Sequence, residues 1–247
     1  MILSNNKYFS SFDFSKKKKS FPFLFICDHA TNIIPSKLND LGLNKKQLLS
    51  HIGWDIGAKN MTLKLAKIFQ CPCFLSNFSR LLIDPNRSKF SSDLIVNTQD
   101  ENVITGNQNL TVDGFKERYL YYIKYHKNLR KLIRCLLKRN QKLILISIHS
   151  FNQKYFKENR FIEIGLLYNF HNLNLALKIL NKLEKFQVNY GNNYPYSGFF
   201  YNYTLDKHCN NNKVQNISIE IRNDLIVNKK GIDKWSKILK ISLSNYD

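Results

Sequence analysis

A chain of 247 residues, 43% of them hydrophobic, has material for a substantial core in one large α/β domain or two small ones. Its 38 Lys and Arg against 18 Asp and Glu leave a net charge of +20, which excludes an acidic disordered chain. Mean hydropathy is −0.36, and no stretch approaches the roughly 18–20 apolar residues that span a bilayer, so no membrane association is expected. Met1–Phe14 lacks the apolar segment of a secretory signal. The five cysteines are odd in number, which argues against a disulfide framework and for a cytoplasmic setting. The positive charge is mostly Lys, alongside abundant Asn and Ile, the composition an A/T-rich genome gives any protein. The one dense run is Lys16–Lys19, and there is neither an aromatic-basic RNP pattern nor an Arg-rich recognition helix. Nucleic acid is therefore not the expected partner, whereas a small anion suits the charge as well.

In chain order, residues 1–20 read as a peripheral lead-in to one domain over 21–247. Phe21–Cys27 is continuously apolar, the mark of a strand buried on both faces, and it ends at the polar Asp28–Asn32. A helix is expected over Trp54–Phe69, then short strands over Phe74–Phe78 and Leu81–Asp84 on either side of Ser79-Arg80. Residues 88–114 are polar and irregular, a long loop of the kind that often carries function. Lys116–Arg139 has the strongest helical period, with Leu120, Ile123, Leu129, Leu132, Ile133, Leu136 and Leu137 recurring every three or four residues. A second buried strand, Lys142–Ile148, ends in His149-Ser150. Strands at Phe161–Tyr168 and Ile217–Ile221, with helices at Leu173–Phe186 and Lys230–Leu243, complete the alternation. That alternation predicts a mostly parallel or mixed sheet covered on both faces, with ligands beyond the carboxyl ends of its strands.

Four polar clusters fall at or beside the ends of apolar runs: Asp28-His29, Arg80 with Asn86-Arg87, His149-Ser150, and Glu220 with Arg222-Asn223-Asp224. Together they list the parts of a metal-assisted amide hydrolase. Two imidazoles and a third ligand hold zinc with one position open, a carboxylate manages the water's proton, and arginines hold an anionic substrate and its oxyanion.

With these clusters, the chain from about Phe21 to Leu243 resembles the N-formylglutamate amidohydrolases. The resemblance rests on Cys27-Asp28-His29-Ala30-Thr31-Asn32 with Pro35, Leu41-Gly42-Leu43, and His51-Ile52-Gly53-Trp54-Asp55-Ile56-Gly57-Ala58. It continues through Ser79-Arg80-Leu81-Leu82-Ile83-Asp84-Pro85-Asn86-Arg87, Tyr125-His126, Ile148-His149-Ser150-Phe151, Asn193-Tyr194-Pro195-Tyr196 and Ile219-Glu220-Ile221-Arg222-Asn223-Asp224-Leu225. The family looks related to zinc carboxypeptidases and aspartoacylases, which implies a three-layer α/β/α sandwich, zinc-carboxypeptidase-like, with a mixed sheet.

The resemblance implies one divalent metal, zinc with cobalt as a substitute, held by His29 and His149. Relatives carry a Glu three residues after the first His; here Asn32 stands there, so Asn32 or Asp28 is the candidate third ligand, with His51 or Asp55 also within the motif. Glu220 corresponds to the general base and Arg80 to the oxyanion donor. Asn86 and Arg87 correspond to the site for the substrate's α-carboxylate, Arg222 and Asn223 to a site for a second carboxylate, and Ser150 and His126 to further substrate contacts. The implied reaction removes an N-acyl group, formyl foremost, from an acidic amino acid such as N-formyl-L-glutamate. A related N-acyl amino acid or peptidoglycan-type amidase, and a non-catalytic basic protein binding nucleic acid or an anionic ligand, are the alternatives.

Overall fold

The computed structural model describes residues 1–15, 22–139, 142–155, 158–209 and 213–244; the Lys16–Lys19 run and Phe21 lie outside them. Its central element is an eight-stranded mixed sheet. The strands are β1 (Ile2–Asn5), β2 (Phe9–Asp13), β3 (Phe23–Cys27), β4 (Pro72–Ser76), β5 (Leu143–Phe151), β6 (Ile164–Leu167), β7 (Tyr190–Asn192) and β8 (Val214–Arg222). They lie in the order β1-β2-β4-β3-β5-β8-β6-β7. The four central strands β4, β3, β5 and β8 run parallel, while β2 and β6 run antiparallel to their inner neighbours. Every residue of β3, β4 and β5 is buried; β3 is apolar throughout, and polar residues enter only toward the carboxyl ends of β4 and β5, at Ser76, Ser147, His149 and Ser150.

Alternation along the strands feeds two cores. Between β3 and β4 in the chain lie α1 (Lys45–Leu49) and α2 (Ala58–Ile68). Phe25, Ile144, Ile146, Ile217 and Ile219 face the layer formed by α2, α4 (Leu173–Leu183) and α7 (Lys229–Ser242). Leu24, Ile26, Leu143 and Leu145 face α3 (Val112–Leu137), where Tyr121, Tyr125, Leu129 and Ile133 meet them. Helices on both faces of one sheet make the expected α/β/α sandwich. Among the described residues no helix is long and apolar enough to cross a membrane.

Of the lead-in expected over residues 1–20, residues 16–20 lie outside the described residues. Residues 1–13 supply β1 and β2, and β2 pairs with β4 at the sheet edge, so they belong to the central sheet and are no lead-in. Phe9 stacks on Phe74 with ring centroids 4.8 Å apart, and Ser10 is buried because its hydroxyl bonds both Asn5 and Asn77. Leu81–Asp84 forms buried turns instead of a strand: Leu82 donates to Ser79, and Asp84 reaches across to the Leu94 carbonyl. Residues 88–114 contain a short hairpin, Thr98–Gln99 with Asn102–Val103, whose turn residues Asp100 and Glu101 both have positive φ.

Candidate active site

On the α3 face, the apolar alternation turns polar at the carboxyl ends of the parallel strands. Ser147 and His149 continue the Leu143 and Leu145 side of β5, while Ser218 and Glu220 do the same on β8, with Glu220 directly opposite His149. One residue beyond β3, Asp28 takes that face, and His29 follows. This is the end of a parallel sheet at which ligands collect. A cleft of about 620 Å³ opens there, lined by His29, Asp55, Arg80, Arg87, His149 and Glu220 among others.

His29, Asp55 and His149 form its floor, all nearly inaccessible, and one donor atom from each lies within 4.8 Å of the others. Asp55 Oδ2 is 2.8 Å from His149 Nδ1 and 3.4 Å from His29 Nδ1. The outer ring nitrogens fix the tautomers. Asp84 Oδ1 accepts from His29 Nε2 at 2.8 Å, and Ser147 Oγ, 2.9 Å from His149 Nε2, donates in turn to Asp28 Oδ2. Both imidazoles therefore present Nδ1 inward, backed by an acceptor, which is how metal-ligating histidines are oriented. Two nitrogens and a carboxylate oxygen with space beyond them fit a divalent cation of the zinc type. Asn32 does not join them: its amide donates to the Leu48 carbonyl, and Asp55 occupies the third corner. Asp28 stands behind His149, accepting from Tyr125 Oη at 2.7 Å and from Ser147, as an orienting carboxylate.

Local sequence explains how Asp55 arrives. Its amide donates to the His29 carbonyl, the Ser150 amide donates to its Oδ2, and Gly57 two residues on turns the chain into α2 with φ +84°. A Cβ at Gly57 would lie 2.4 Å from the Ile226 carbonyl oxygen, so the tight approach admits only glycine.

Burial alone would raise all three aspartates, but the imidazoles and hydrogen bonds overcome it, and for Asp84 Arg80 as well. Asp28 and Asp84 are held below the usual carboxylate range and Asp55 well below it. The same contacts, with Asp28 and Asp55, hold the His149 pKa well above the usual imidazole value despite its burial. Glu220 behaves oppositely. Burial, with Asp55 nearby, pushes its carboxyl up to about 7, and its Oε2 finds no hydrogen-bond partner among the described residues. A buried carboxyl poised near neutrality suits proton transfer.

Arg80 bridges Asp84 through Nη2 at 2.8 Å and brings Nη1 within 3.4 Å of His29 Nδ1, beside the floor. Arg87 is anchored by Asp93 and by the Asn86 carbonyl. Asn86 lines the cleft, but its amide donates to the Tyr201 carbonyl and accepts from the Thr204 amide, tying α5 (Gly198–Tyr201) and α6 (Tyr203–His208) to the arginine loop. Ser150 also lines the cleft and bonds the Ile56 carbonyl. His126 is outside it, on α3, facing Pro85 and His208. Arg222 and Asn223 are likewise not in the lining: Arg222 pairs with Asp224 and donates to the Arg160 carbonyl, and Asn223 donates to Asn152. The lining instead includes Arg160 and Tyr196, from loops, and Tyr201, the last residue of the single-turn α5, none of them flagged by apolar periodicity.

Comparison with known proteins agrees with this architecture. The family model for N-formylglutamate amidohydrolase matches residues 21–227. The crystal structure of gene product Atu2144 from Agrobacterium tumefaciens superposes with TM-score 0.90 at 29% identity, covering 96% of this chain and 94% of that one. N-formylglutamate amidohydrolase from Ralstonia eutropha superposes with TM-score 0.73 at 16% identity, covering 96% of each chain. Comparison with functionally curated proteins finds no match. The chain is a member of the N-formylglutamate amidohydrolase family, whose enzymes hydrolyse amide bonds.

Proposed function

We propose that this protein is a metal-dependent amidohydrolase that removes the N-formyl group from an acidic amino acid, N-formyl-L-glutamate in the first instance. The observation that carries the reading is the floor of the cleft, where His29, Asp55 and His149 converge beneath Glu220. His29 Nδ1, His149 Nδ1 and the Asp55 carboxylate would hold a divalent cation, with zinc the best fit to that donor set and cobalt a substitute. The chemistry such an ion supplies is Lewis acidity, which acidifies water and polarises a carbonyl.

The chain's own groups perform the rest. Glu220 takes the proton of the attacking water and returns it to the leaving amine nitrogen, a shuttle for which a carboxyl near neutrality is suited. Arg80, held by Asp84, donates to the oxygen that becomes negative as the carbonyl carbon turns tetrahedral. Arg87 grips the substrate's α-carboxylate with a guanidinium whose Nε and Nη1 are already fixed. Asp84, Asp28 and Ser147 keep the imidazoles in the ligating tautomer. Cys27, Cys71, Cys73, Cys135 and Cys209 are free thiols, which supports a reducing, cytoplasmic setting.

The test is formate release from N-formyl-L-glutamate by the protein as purified, after chelation, and after adding back Zn²⁺ or Co²⁺. Activity lost on chelation and restored by metal is expected. Hydrolysis that survives complete metal removal overturns the metal role, and no hydrolysis of any N-formyl or N-acetyl amino acid in any metal state overturns the reaction.

A further inference from the structure

The cleft has a second cationic corner besides Arg87, connected to it through two aromatic rings. Arg87 lies over the ring of Tyr201, 5.5 Å from its centroid; Tyr201 meets Tyr196 at 5.5 Å; and Arg160 lies over Tyr196 at 5.0 Å. Two guanidinium groups thus stand at the ends of two touching rings, all four residues lining one cavity. Arg160 is 9% exposed, so what it presents to the cleft is a small, directed face. Phe151 flanks its guanidinium from another side at 5.6 Å, and its Nη1 donates to Tyr196 Oη at 3.0 Å. Its backbone is pinned at both polar groups: the amide donates to the Gln153 carbonyl, and the carbonyl accepts from Arg222. Rings on two sides of a planar fork fix its orientation before any ligand arrives. Because Tyr196 Oη accepts from Arg160, its own proton remains to be given to an anion.

We infer that Arg160 and Tyr196 form the subsite for a second carboxylate, so that the enzyme selects N-acyl amino dicarboxylates by gripping them at both ends. The inference rests on the amidohydrolase reading above and adds to it the residues that choose the amino acid. In this arrangement Arg87 holds the α-carboxylate, the methylenes of the side chain lie along Tyr201 and Tyr196, and the distal carboxylate accepts from Arg160 and from Tyr196 Oη. Arg222, expected from sequence to touch that carboxylate, acts one step back by holding the Arg160 backbone. A guanidinium suits this role because a planar fork matches a carboxylate in two bonds, which an ammonium does not.

The experiment compares N-formyl-L-glutamate with its near-isostere N-formyl-L-glutamine in metal-loaded wild type, Arg160→Leu, Arg160→Lys and Tyr196→Phe. The readout is the ratio of kcat/KM for the two substrates, which general structural damage does not move. Wild type is expected to favour the dicarboxylate about 100-fold or more, Arg160→Leu to bring the ratio within about tenfold of unity, and Arg160→Lys to restore part of it. Tyr196→Phe, which keeps the ring, is expected to lower the ratio several-fold, and it stands as the test if Arg160→Leu fails to fold. A wild-type ratio near unity overturns the subsite while leaving the amidohydrolase reading intact, as does an unchanged ratio in both Arg160→Leu and Tyr196→Phe. If no substrate is hydrolysed the reaction fails instead. Calorimetric binding of N-formyl-L-glutamate then decides the subsite: affinity weakened by Arg160→Leu supports it, and equal affinity overturns it.

Discussion

Acidifying the metal-free protein from pH 6.5 to pH 5 should cost it about 3 kcal/mol at two histidines outside the cleft. His126 and His208 are buried together, with ring nitrogens 3.0 Å apart, and His126 Nε2 donates to the Pro85 carbonyl. That carbonyl only accepts, so His126 Nδ1 accepts from His208 Nε2, and both rings are neutral. His208 Nδ1 is left buried without a hydrogen-bond partner. Burial, with His208 adjacent, pushes His126 down to about 3; burial, with Arg130 nearby, pushes His208 down to about 4. Unfolded histidine titrates near pH 6.5. Both folded values are depressed, so the stability they contribute is complete above that pH and is lost as pH falls toward the folded values. Over the window the protons held by these two side chains in the unfolded chain rise from about one to close to two, while the native state refuses them. At about 1.4 kcal/mol per proton per pH unit, and starting from half titration, the loss is about 3 kcal/mol. That is substantial against a total of about 5–15 kcal/mol.

Glu220 opposes the histidines. Its carboxyl, pushed up to about 7 against an unfolded value near 4.5, binds a proton in the native state across the window. This returns about 1.5–2 kcal/mol, equally in wild type and in the variant below, so it cancels in their difference. His51, also pushed down by burial, adds in the same direction as His126 and His208. The raised pKa of His149 contributes stability that is nearly complete at pH 6.5 and gains only about 0.4 kcal/mol across the window. The depressed aspartates begin to matter only as unfolded carboxylates protonate, below about pH 5. Urea melts of chelated protein at half-unit steps provide the assay, comparing wild type with the His126→Gln, His208→Asn double variant. The variant should start lower yet lose about 3 kcal/mol less across the window. Parallel curves for the two proteins would refute the reasoning.

Replacing Asp84 by Asn removes the carboxylate behind His29 and should weaken zinc binding about 10–100-fold in a competition titration; unaltered affinity would show that His29 needs no such backing. Arg80→Ala should lower kcat about 10²–10³-fold while the circular dichroism spectrum stays native, and near-wild-type turnover would remove Arg80 from the oxyanion role. Gly57→Ala puts a side chain at φ +84° against the Ile226 carbonyl and should cost about 1–3 kcal/mol. It should also weaken metal binding, because Asp55 lies two residues away. An unshifted urea midpoint would contradict that account.

The parts of this site that are legible in the sequence are those carried by strands. In Leu143–His149 the β-period assigns Ile144, Ile146 and Ile148 to one face, so the polar Ser147 and His149 must share the other, and Asn216, Ser218 and Glu220 repeat the pattern on β8. Their meeting follows from parallel pairing. What arrives by loop is not legible in that way. Asp55 reaches the floor because its amide finds the His29 carbonyl, a bond between residues 26 apart in sequence that no periodicity announces. Arg160 and Tyr196 meet across two loops, and Arg222 looks from the sequence like a substrate ligand until its fork is found on Asp224. The Leu81–Asp84 run misleads for a related reason. Its apolar side chains are buried, but its backbone is spent placing Arg80 and Asp84, so it cannot also pair in a sheet.

Net charge is the least informative feature about the cleft, and the reason leads to a testable consequence. The whole chain carries +20, yet the lining sets Arg80, Arg87, Arg160 and Lys154 against Asp55, Asp100, Glu101 and Glu220. Asp100 and Glu101 sit at the exposed tip of the hairpin over the mouth, both with positive φ in a turn where Asn-Gly would be comfortable. An acidic tip opposes the long-range attraction that the rest of the molecule exerts on an anion. Asp100→Asn with Glu101→Gln should therefore raise kcat/KM for N-formyl-L-glutamate about 2–10-fold at low ionic strength. The gain should shrink through physiological salt, where the Debye length is about 8 Å, and vanish near 1 M, where it is about 3 Å. A variant slower than wild type at every salt concentration would mean that the tip touches the bound substrate, and that its strained turn is kept for that contact.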